Sequence, residues 1–468
     1  MQLVPYSPEG YKLLHDGMLA FSEMQQNGIR MDVQHIKQSY KQLSKRVKKI
    51  TATLDMFKEV QLWKKKYKDK FTLDSDEQLS DILFKEMGYE SVVTTDKGNA
   101  SVNQEALSAL ELPFTNELLQ YRKYTKIKDT FLKGLLDEQQ GGYLHPFINL
   151  HTARTYRSSS SMPNIQNQPT RDPEAGEIIR KSFISRENHY LVCADYGGAE
   201  VKAACLYHKD PTMIGYLQDP LHADMHADFA CLLFKLKELD GKNSGQKTLR
   251  KGTKNAFTFP QFYGDYYGNN AIGLWKWMGL HGEKLKKNQG VVIDEAGTTI
   301  AEHLIKNKIK TLTQFTNHVK RIEDNMWNKR FPVYKAWKES QYNFYLKNGY
   351  VQILSGFICQ GMMDRNAVIN YPIQGLSFHF LLWSCVQLIK KMKKMKMQSK
   401  VIFQVHDEVV ADVVKEEKDD FLGLLKQTMI HDLKDHWEFI FLPLELEVDC
   451  SELNGNWFNK KTILHYIN

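Results

Sequence analysis

Cysteine is scarce and scattered in this chain of 468 residues. Cys193, Cys205, Cys231, Cys359, Cys385 and Cys450 form no CxxC pair. That spacing excludes a disulfide scaffold and an ordinary structural zinc site, and it points to a reducing compartment, here the cytoplasm. Proline (13) and glycine (28) are too few for a collagen-like chain. Hydrophobic residues at 42% and charged residues at 25% exclude a disordered one. The N-terminus, MQLVPYSPEGYKLLHDG, has no apolar signal core. The longest apolar stretch, Phe378 to Ile389, is short and is interrupted by His379, Ser384 and Gln387, so no membrane span is expected. No internal repeat is found. Neither sign of charge dominates: Lys+Arg 63 against Asp+Glu 55 gives +8. That balance permits a polyanionic partner without requiring one. At ~100–200 residues per domain, the length suggests about three domains, or one discontinuous one.

What the chain does have is strong periodicity. Ile36, Tyr40, Leu43, Val47, Ile50, Leu54 and Phe57 recur at helical spacing, which predicts a helix over 33–57 with Asp32 as its N-cap. Its other face carries Lys41, Lys45, Arg46, Lys48 and Lys49, either a solvated face or one that tracks phosphates. The run Trp63-Lys64-Lys65-Lys66-Tyr67-Lys68 is weak evidence for nucleic acid. Residues 74–140 read as short helices, and Gly141-Gly142 marks a boundary. The Ser158–Ser161 tract reads first as a linker, yet its flanks are rich in Arg and amide side chains. Tyr190 to Ala194 reads as a buried strand ending at Asp195. Residues 216–345 are mostly helical by pattern. KVIFQVHDEVVADV (400–413) reads as strand, tight turn, strand, with His406-Asp407-Glu408 at the turn. Leu442 to Val448 has strand character.

Two features carry chemistry. Asp195 and Asp407 both stand at the ends of apolar strands. A carboxylate there costs free energy unless it is paired or metal-bound. One such Asp is ordinarily a turn cap. Two, in a chain with phosphate-binding signatures, suggest a shared divalent site, since magnesium takes one or two protein carboxylates plus substrate phosphates. Two ions about 3.5–4 Å apart would stabilise an in-line phosphoryl displacement. The second feature is the segment Arg250-Lys251-Gly252-Thr253-Lys254-Asn-Ala-Phe257-Thr-Phe259-Pro260-Gln-Phe262-Tyr263-Gly264. Arg250 and Lys254 share a helix face, as do Phe259 and Tyr263. Cations at one end and rings at the other can hold a nucleotide, although the same pattern describes an ordinary amphipathic helix.

On these residues the chain resembles the polymerase part of family A DNA polymerases, the bacterial DNA polymerase I family and its phage relatives. Asp195-Tyr-Gly-Gly-Ala-Glu200 is similar to the first metal motif, DYSQIE. Gln404-Val-His-Asp-Glu408 is similar to the second, and the lysine–aromatic segment to the nucleotide-binding fingers helix. Thr155 to Asn167 resembles the TGRLSSxxPNLQN segment, and Asn370 to Gly375 resembles N-x-P-x-QG. Met24 to Asp32 resembles the approach to the thumb. All six stand in the family's order. The resemblance implies two Mg2+ ions, with Mn2+ able to substitute, on Asp195, the Tyr196 carbonyl and Asp407. It implies triphosphate binding by Arg250, Lys254 and His226, with Lys254 protonating the leaving pyrophosphate. Glu200 would be a steric gate against a 2′-hydroxyl. Phe259 would lie under the incoming sugar and base, and Tyr263 would hold the template position. Arg157, Asn164, Gln166, Asn167, Gln374 and His406 would contact primer-template, partly in the minor groove, whose shared acceptors suit a check of shape.

The implied fold is α+β, a right hand with an antiparallel-sheet palm (1–32, 141–215, 346–468), a helical thumb (33–140) and helical fingers (216–345). The implied partners are a primed DNA template and dNTPs, with a separate exonuclease or processivity factor as a further candidate. A monomer is expected. Ahead of Val33 stand only Glu9, Asp16, Glu23 and Asp32, so no proofreading exonuclease is expected within these residues. Three other readings stay open: a single-subunit RNA polymerase, a metal-dependent nuclease and a non-catalytic binder.

The chain departs from the family pattern in three places. Family members space Arg, Lys, Phe and Tyr by 4, 4, 4, whereas this chain has 4, 5, 4. At ~100° per residue, the extra position swings the rings ~100° round a regular helix. Either a one-residue bulge lies between 254 and 259, or Lys251 and Asn255 take the cationic places. The bulge is preferred, because Pro260 offers no N–H to the Ala256 carbonyl and a π-turn upstream relieves the crowding. Gly197-Gly198-Ala199 replaces SQI, which suggests a looser loop. Leu376-Ser377-Phe378 replaces a small-residue run.

Overall fold

The computed structural model describes residues 4–5, 7–91, 100–170, 172–219 and 223–467. Parts of the sequence-predicted 74–140 and 216–345 helical stretches therefore lie outside the described residues. The architecture centres on one antiparallel sheet. Its strands are β1 (His189–Tyr196), β2 (Lys400–Val405), β3 (Glu408–Val414), β4 (Glu445–Cys450) and β5 (Lys461–Ile467). The order is β5-β4-β1-β3-β2, so the strand bearing Asp195 is central. Side chains of β1 alternate between two cores. Val192, Ala194 and Tyr196 join the core that includes the Arg365–Lys394 helix. Leu191 and Cys193 join a second core with Phe403, Val410, Trp457 and the helices of residues 33–135. Cover on both faces explains why β1 reads as an unbroken apolar run.

The Val33–Leu54 helix is capped by Asp32, whose Oδ1 accepts from the His35 N–H at 2.8 Å. It stops three residues earlier than the apolar stripe suggests. Phe57 takes an extended conformation and packs edge-on against Phe114 at 5.9 Å, so the chain bends there into a second helix, Lys58–Tyr67. In that helix Trp63 is buried, Lys64 pairs with Asp55 at 2.8 Å and Lys66 with Glu86 at 2.7 Å. Two cations of the 63–68 run are thus already neutralised. Gly141 and Gly142 both take positive φ in the turn before the Tyr143–Leu144 strand. The serine tract is no linker: Ser159–Ser161 pairs with Phe147–Asn149.

The apolar stretch Phe378 to Ile389 is part of a longer element, the helix Arg365–Lys394 of 30 residues. Its most apolar 18-residue window has a mean hydropathy of 1.2, enough by length and composition to cross a membrane. That window is 89% buried inside the protein, so the core accounts for its hydrophobicity. The predicted tail strand sits three residues later, at Glu445–Cys450. The six cysteines are free thiols.

Candidate active site

Strand β1 ends at Asp195-Tyr196, and a two-residue turn, His406-Asp407, joins β2 to β3. Val405 pairs with Glu408, and Glu408 pairs with Asp195 across the next strand. This register sets Asp407 beside the end of β1, where the Tyr196 N–H donates to the Asp407 carbonyl at 3.4 Å. A two-residue hairpin needs positive φ at its first position. His406 supplies it at φ 53, a conformation that costs an L-residue about 1 kcal/mol or more. The Tyr196 ring points the other way, and its hydroxyl donates to the Met429 carbonyl at 2.7 Å, anchoring the strand end in the core.

Of the two carboxylates, Asp195 is open to solvent at the strand end and Asp407 is poorly satisfied. Asp407 Oδ1 is buried and has no hydrogen-bond partner. Burial, followed by the charges of Asp407 and Glu408, pushes the Asp195 carboxyl up to about 7. Burial also pushes Asp407 up to about 6, opposed by Arg157 and reinforced by Glu200. Two like charges at one end of the sheet, Asp195 exposed and Asp407 half-buried, repel one another, and a bound cation would remove that cost. Among the described residues no cluster of three or more His, Cys, Asp or Glu side chains could cage an ion. Two hard carboxylates beside an open site fit a magnesium-like cation completed by phosphate oxygens, rather than an all-protein cage.

Glu408, the third member of the HDE triplet, is otherwise engaged. Lys460 Nζ donates to both of its oxygens at 3.1 and 3.2 Å, and the Trp457 indole donates at 3.3 Å. Lys460 also reaches Asp449 at 3.2 Å. The Gly197-Gly198 loop is pinned rather than loose. The Gly197 N–H donates to the Glu445 carbonyl at 3.0 Å, and Lys202 holds the Glu445 carboxylate at 2.7 Å. Gly198 takes φ 65 at the start of the Ala199–His208 helix, a conformation that glycine adopts without strain.

The bulge expected between 254 and 259 is present. A regular helix, Ser244–Thr253, passes into a π-turn, Lys254–Thr258, and then into a last helical turn, Phe259–Tyr263. The Phe259 N–H donates to the Lys254 carbonyl five residues back, the signature of the inserted residue. Lys254 Nζ lies 5.3 Å from the centre of the Phe259 ring, so cation and ring share one side despite the 5-residue gap. Arg250 Nε donates to Asp224 Oδ2 at 2.5 Å. His226 sits edge-on to Phe259 at 5.6 Å, and its buried Nδ1 lacks a partner. Burial, then Lys254 and Arg250, bring the His226 imidazole down to about 4, so it is neutral at pH 7. Glu200, Phe259, Tyr263, Tyr334 and Asn370 line one small cavity. Arg157 pairs with Glu200 across its edge.

A larger cleft of ≈ 1010 Å³ runs between the sheet and the N-terminal helices. Gln166, Asn167 and His406 line it, with Gln168, Arg180, Lys123 and Lys126. Gln168 Oε1 and Arg180 Nε are buried there without partners. Asn164 does not line this cleft among the residues that do. Its Oδ1 accepts from the Gln166 and Asn167 N–H groups at 3.0 and 3.2 Å, so it builds the turn that presents them. Gln374 lies on the Arg365–Lys394 helix, and its carbonyl accepts from the Ser377 hydroxyl at 3.0 Å. Neither the cleft nor the small cavity is lined by it.

A sequence profile described as DNA polymerase family A matches residues 34–458. The chain belongs to DNA polymerase family A. Curated relatives in this family include DNA polymerase I of Chloroflexus aurantiacus, 25% identical over 454 residues, covering 93% of this chain and 42% of the relative. The thermostable DNA polymerase I of Thermus aquaticus is 26% identical over 458 residues, covering 94% and 47%. This family A chain thus spans less than half the length of these relatives. A solved structure, the POL domain of Pol1 from M. smegmatis in complex with DNA primer-template and dNTP, superposes with a TM-score of 0.72. That match covers 95% of this chain and 70% of the other at 22% identity, and it establishes a shared fold.

Sequence reasoning passed over Lys460, Trp457 and Arg180. Lys460 and Trp457 come from the tail, and no local pattern links them to a triplet some fifty positions earlier. The 4, 5, 4 spacing, by contrast, did carry a readable signal for the π-turn.

Proposed function

We propose that this chain extends a DNA primer on a template, adding deoxynucleotides by attack of the primer 3′-hydroxyl on the α-phosphate and release of pyrophosphate. The observation that carries the reading is the meeting of Asp195 and Asp407, remote in sequence, at one end of the sheet with an orphaned carboxylate oxygen. Asp195, Asp407 and the Tyr196 carbonyl would hold a pair of magnesium ions, which supply charge stabilisation to the attacking and leaving oxygens. The rest is positioning and electrostatics by the chain itself. Arg250 and Lys254 bind the triphosphate, and Arg250 exchanges its Asp224 partner for phosphate oxygens. Neutral His226 offers its unpartnered nitrogen to the same group. Lys254 gives a proton to the departing pyrophosphate. Glu200, held by Arg157, fills the space of a 2′-hydroxyl. Phe259 lies against the sugar and base, and Tyr263 keeps the template position. Gln166, Asn167 and His406 face the duplex from the cleft, while Asn164 acts by shaping their loop. Arg157 and Gln374 complete the primer-template contacts.

In this reading residues 33–140 are the thumb, 216–345 the fingers, and the three remaining segments the palm. A cytoplasmic monomer, working beside a separate exonuclease or processivity factor, belongs to the same proposal.

Extension of a labelled primer on a defined template, with each dNTP and NTP offered singly, tests the reading. Only the template-complementary dNTP should be added, and only with a divalent cation. Addition of NTPs with equal ease would favour an RNA polymerase, and cutting without triphosphates a nuclease. The bulged register adds a second test. Phe259→Tyr should raise dideoxynucleotide use relative to deoxynucleotide use by about tenfold or more, because a phenol can replace the contact of a missing 3′-hydroxyl. An unchanged ratio would mean that another ring lies under the sugar.

A further inference from the structure

Beneath the nucleotide helix lies a buried polar hub that the polymerase reading does not use. Gln261, in the Phe259–Tyr263 turn, is 1% exposed. Its side-chain N–H groups donate to Asn270 Oδ1 and Glu323 Oε2, both at 2.6 Å. Its Oε1 accepts from the Trp327 indole at 2.7 Å. Its backbone carbonyl accepts from Lys338 Nζ at 3.1 Å. Lys338, on the Pro332–Asn348 helix, is 9% exposed. Its ammonium lies 3.9 Å from the Trp327 ring centre and 4.9 Å from that of Tyr334. Among the described residues it has no carboxylate partner within ion-pair distance. A buried cation with only rings and one carbonyl for company destabilises a fold relative to an apolar side chain of the same size. Tyr334, one wall of this cage, also lines the cavity formed by Glu200, Phe259 and Tyr263.

We propose that Lys338 is a positioning residue for the incoming nucleotide: by gripping the Gln261 carbonyl and the Tyr334 face, it sets the pitch of the Phe259–Tyr263 turn and the floor of that cavity. The proposal rests on the polymerase reading. It assigns a use to a group whose presence stability alone does not favour. The titratable groups that act on it are Arg365, at the head of the Arg365–Lys394 helix and tied to Glu339, and His208 on the Ala199–His208 helix; Glu323 faces it through Gln261, and Glu200 lies across the cavity that Tyr334 lines. His208 is held neutral by burial and by Lys338 itself. Burial, then Arg365, bring the Lys338 ammonium down to about 7. The cation, and with it the grip on the rings, is therefore present below that pH and fades above it.

The test combines steady-state extension by one correct dNTP with thermal melting, on wild type, Lys338→Met and Lys338→Arg. Lys338→Met should melt at a higher temperature than wild type, yet show a KM for dNTP raised about tenfold near pH 6, with kcat changed less than about twofold. The gap in KM should narrow by about pH 9, where wild type has lost its charge. Lys338→Arg, which keeps the charge, should stay close to the wild-type KM. An unchanged KM in Lys338→Met overturns the proposal. So does a lower melting temperature with kcat and KM damaged alike in both variants, the pattern of lost packing. If Lys338→Met fails to fold, Trp327→Phe is read in its place: a raised KM supports the grip and an unchanged one overturns it. Wild type that extends no primer sinks the polymerase reading and this inference together, whereas extension with indifferent variants sinks this inference alone.

Discussion

Asp407→Asn should abolish primer extension while raising the melting temperature of the metal-free protein at neutral to alkaline pH. The two effects have one cause. In the metal-free protein, burial lifts the Asp407 carboxyl from its ordinary 3.8 to about 6. The unfolded chain therefore gives up this proton at lower pH than the folded one. Its contribution to stability is fully present below about 4, is lost as pH rises through about 6, and leaves the ionised native state penalised by about 3 kcal/mol above that. Asn carries no charge and escapes the penalty, so the melting temperature should rise by about 2–4 °C. Asp195 is also raised, to about 7, but it stands exposed at the strand end, so solvent screens it and Asp195→Asn should lose activity with a smaller change in melting temperature. On the proposed reading the substitution removes charge that would hold the cation pair, and the loss of activity should amount to about a thousandfold or more. Melting curves at two pH values and extension rates from the same preparations check both halves. A variant that is less stable and still active would mean that these carboxylates are ordinary turn residues.

Glu200→Ala should admit ribonucleotides. In the structure Glu200 lines the cavity with Phe259 and Tyr263 and is held in place by Arg157. A pinned carboxylate excludes an added hydroxyl by occupying its space. Trimming it to a methyl opens that space. The preference for dNTP over NTP, measured as the ratio of kcat/KM values, should fall by about a hundredfold. Freed from its partner, Arg157 gains a choice of contacts, so primer affinity should change as well. Unchanged sugar selectivity would place the gate elsewhere and detach the first metal motif from the nucleotide.

Local physics made much of this legible in the sequence. The helix cap at Asp32, the β2–β3 hairpin and the buried character of β1 follow from patterns a few residues long. The π-turn was readable because two local facts agreed, an extra residue between Lys254 and Phe259 and a proline that cannot donate at 260. The misses share one origin as well. β5 (Lys461–Ile467) has mostly exposed side chains, so it carries no apolar alternation to announce it. The bend at Phe57 is set by Phe114, distant in sequence. Glu408 was legible as part of a triplet, but its capture by Lys460 and Trp457 depends on how the tail folds back beside β1. The Gly197-Gly198 loop reads as loose because glycine permits freedom, yet Glu445 and Lys202 remove that freedom from outside. Lys338 gives no sign of burial, since lysine in a polar-looking helix is ordinarily solvated.

The most direct measurement is a calorimetric titration of the protein with Mg2+ or Mn2+, in the presence of a dideoxy-terminated primer-template and the next complementary dNTP. Wild type should bind divalent cation in this ternary state, with affinity lost in both Asp195→Asn and Asp407→Asn. Cation binding that survives either substitution unchanged would contradict the account.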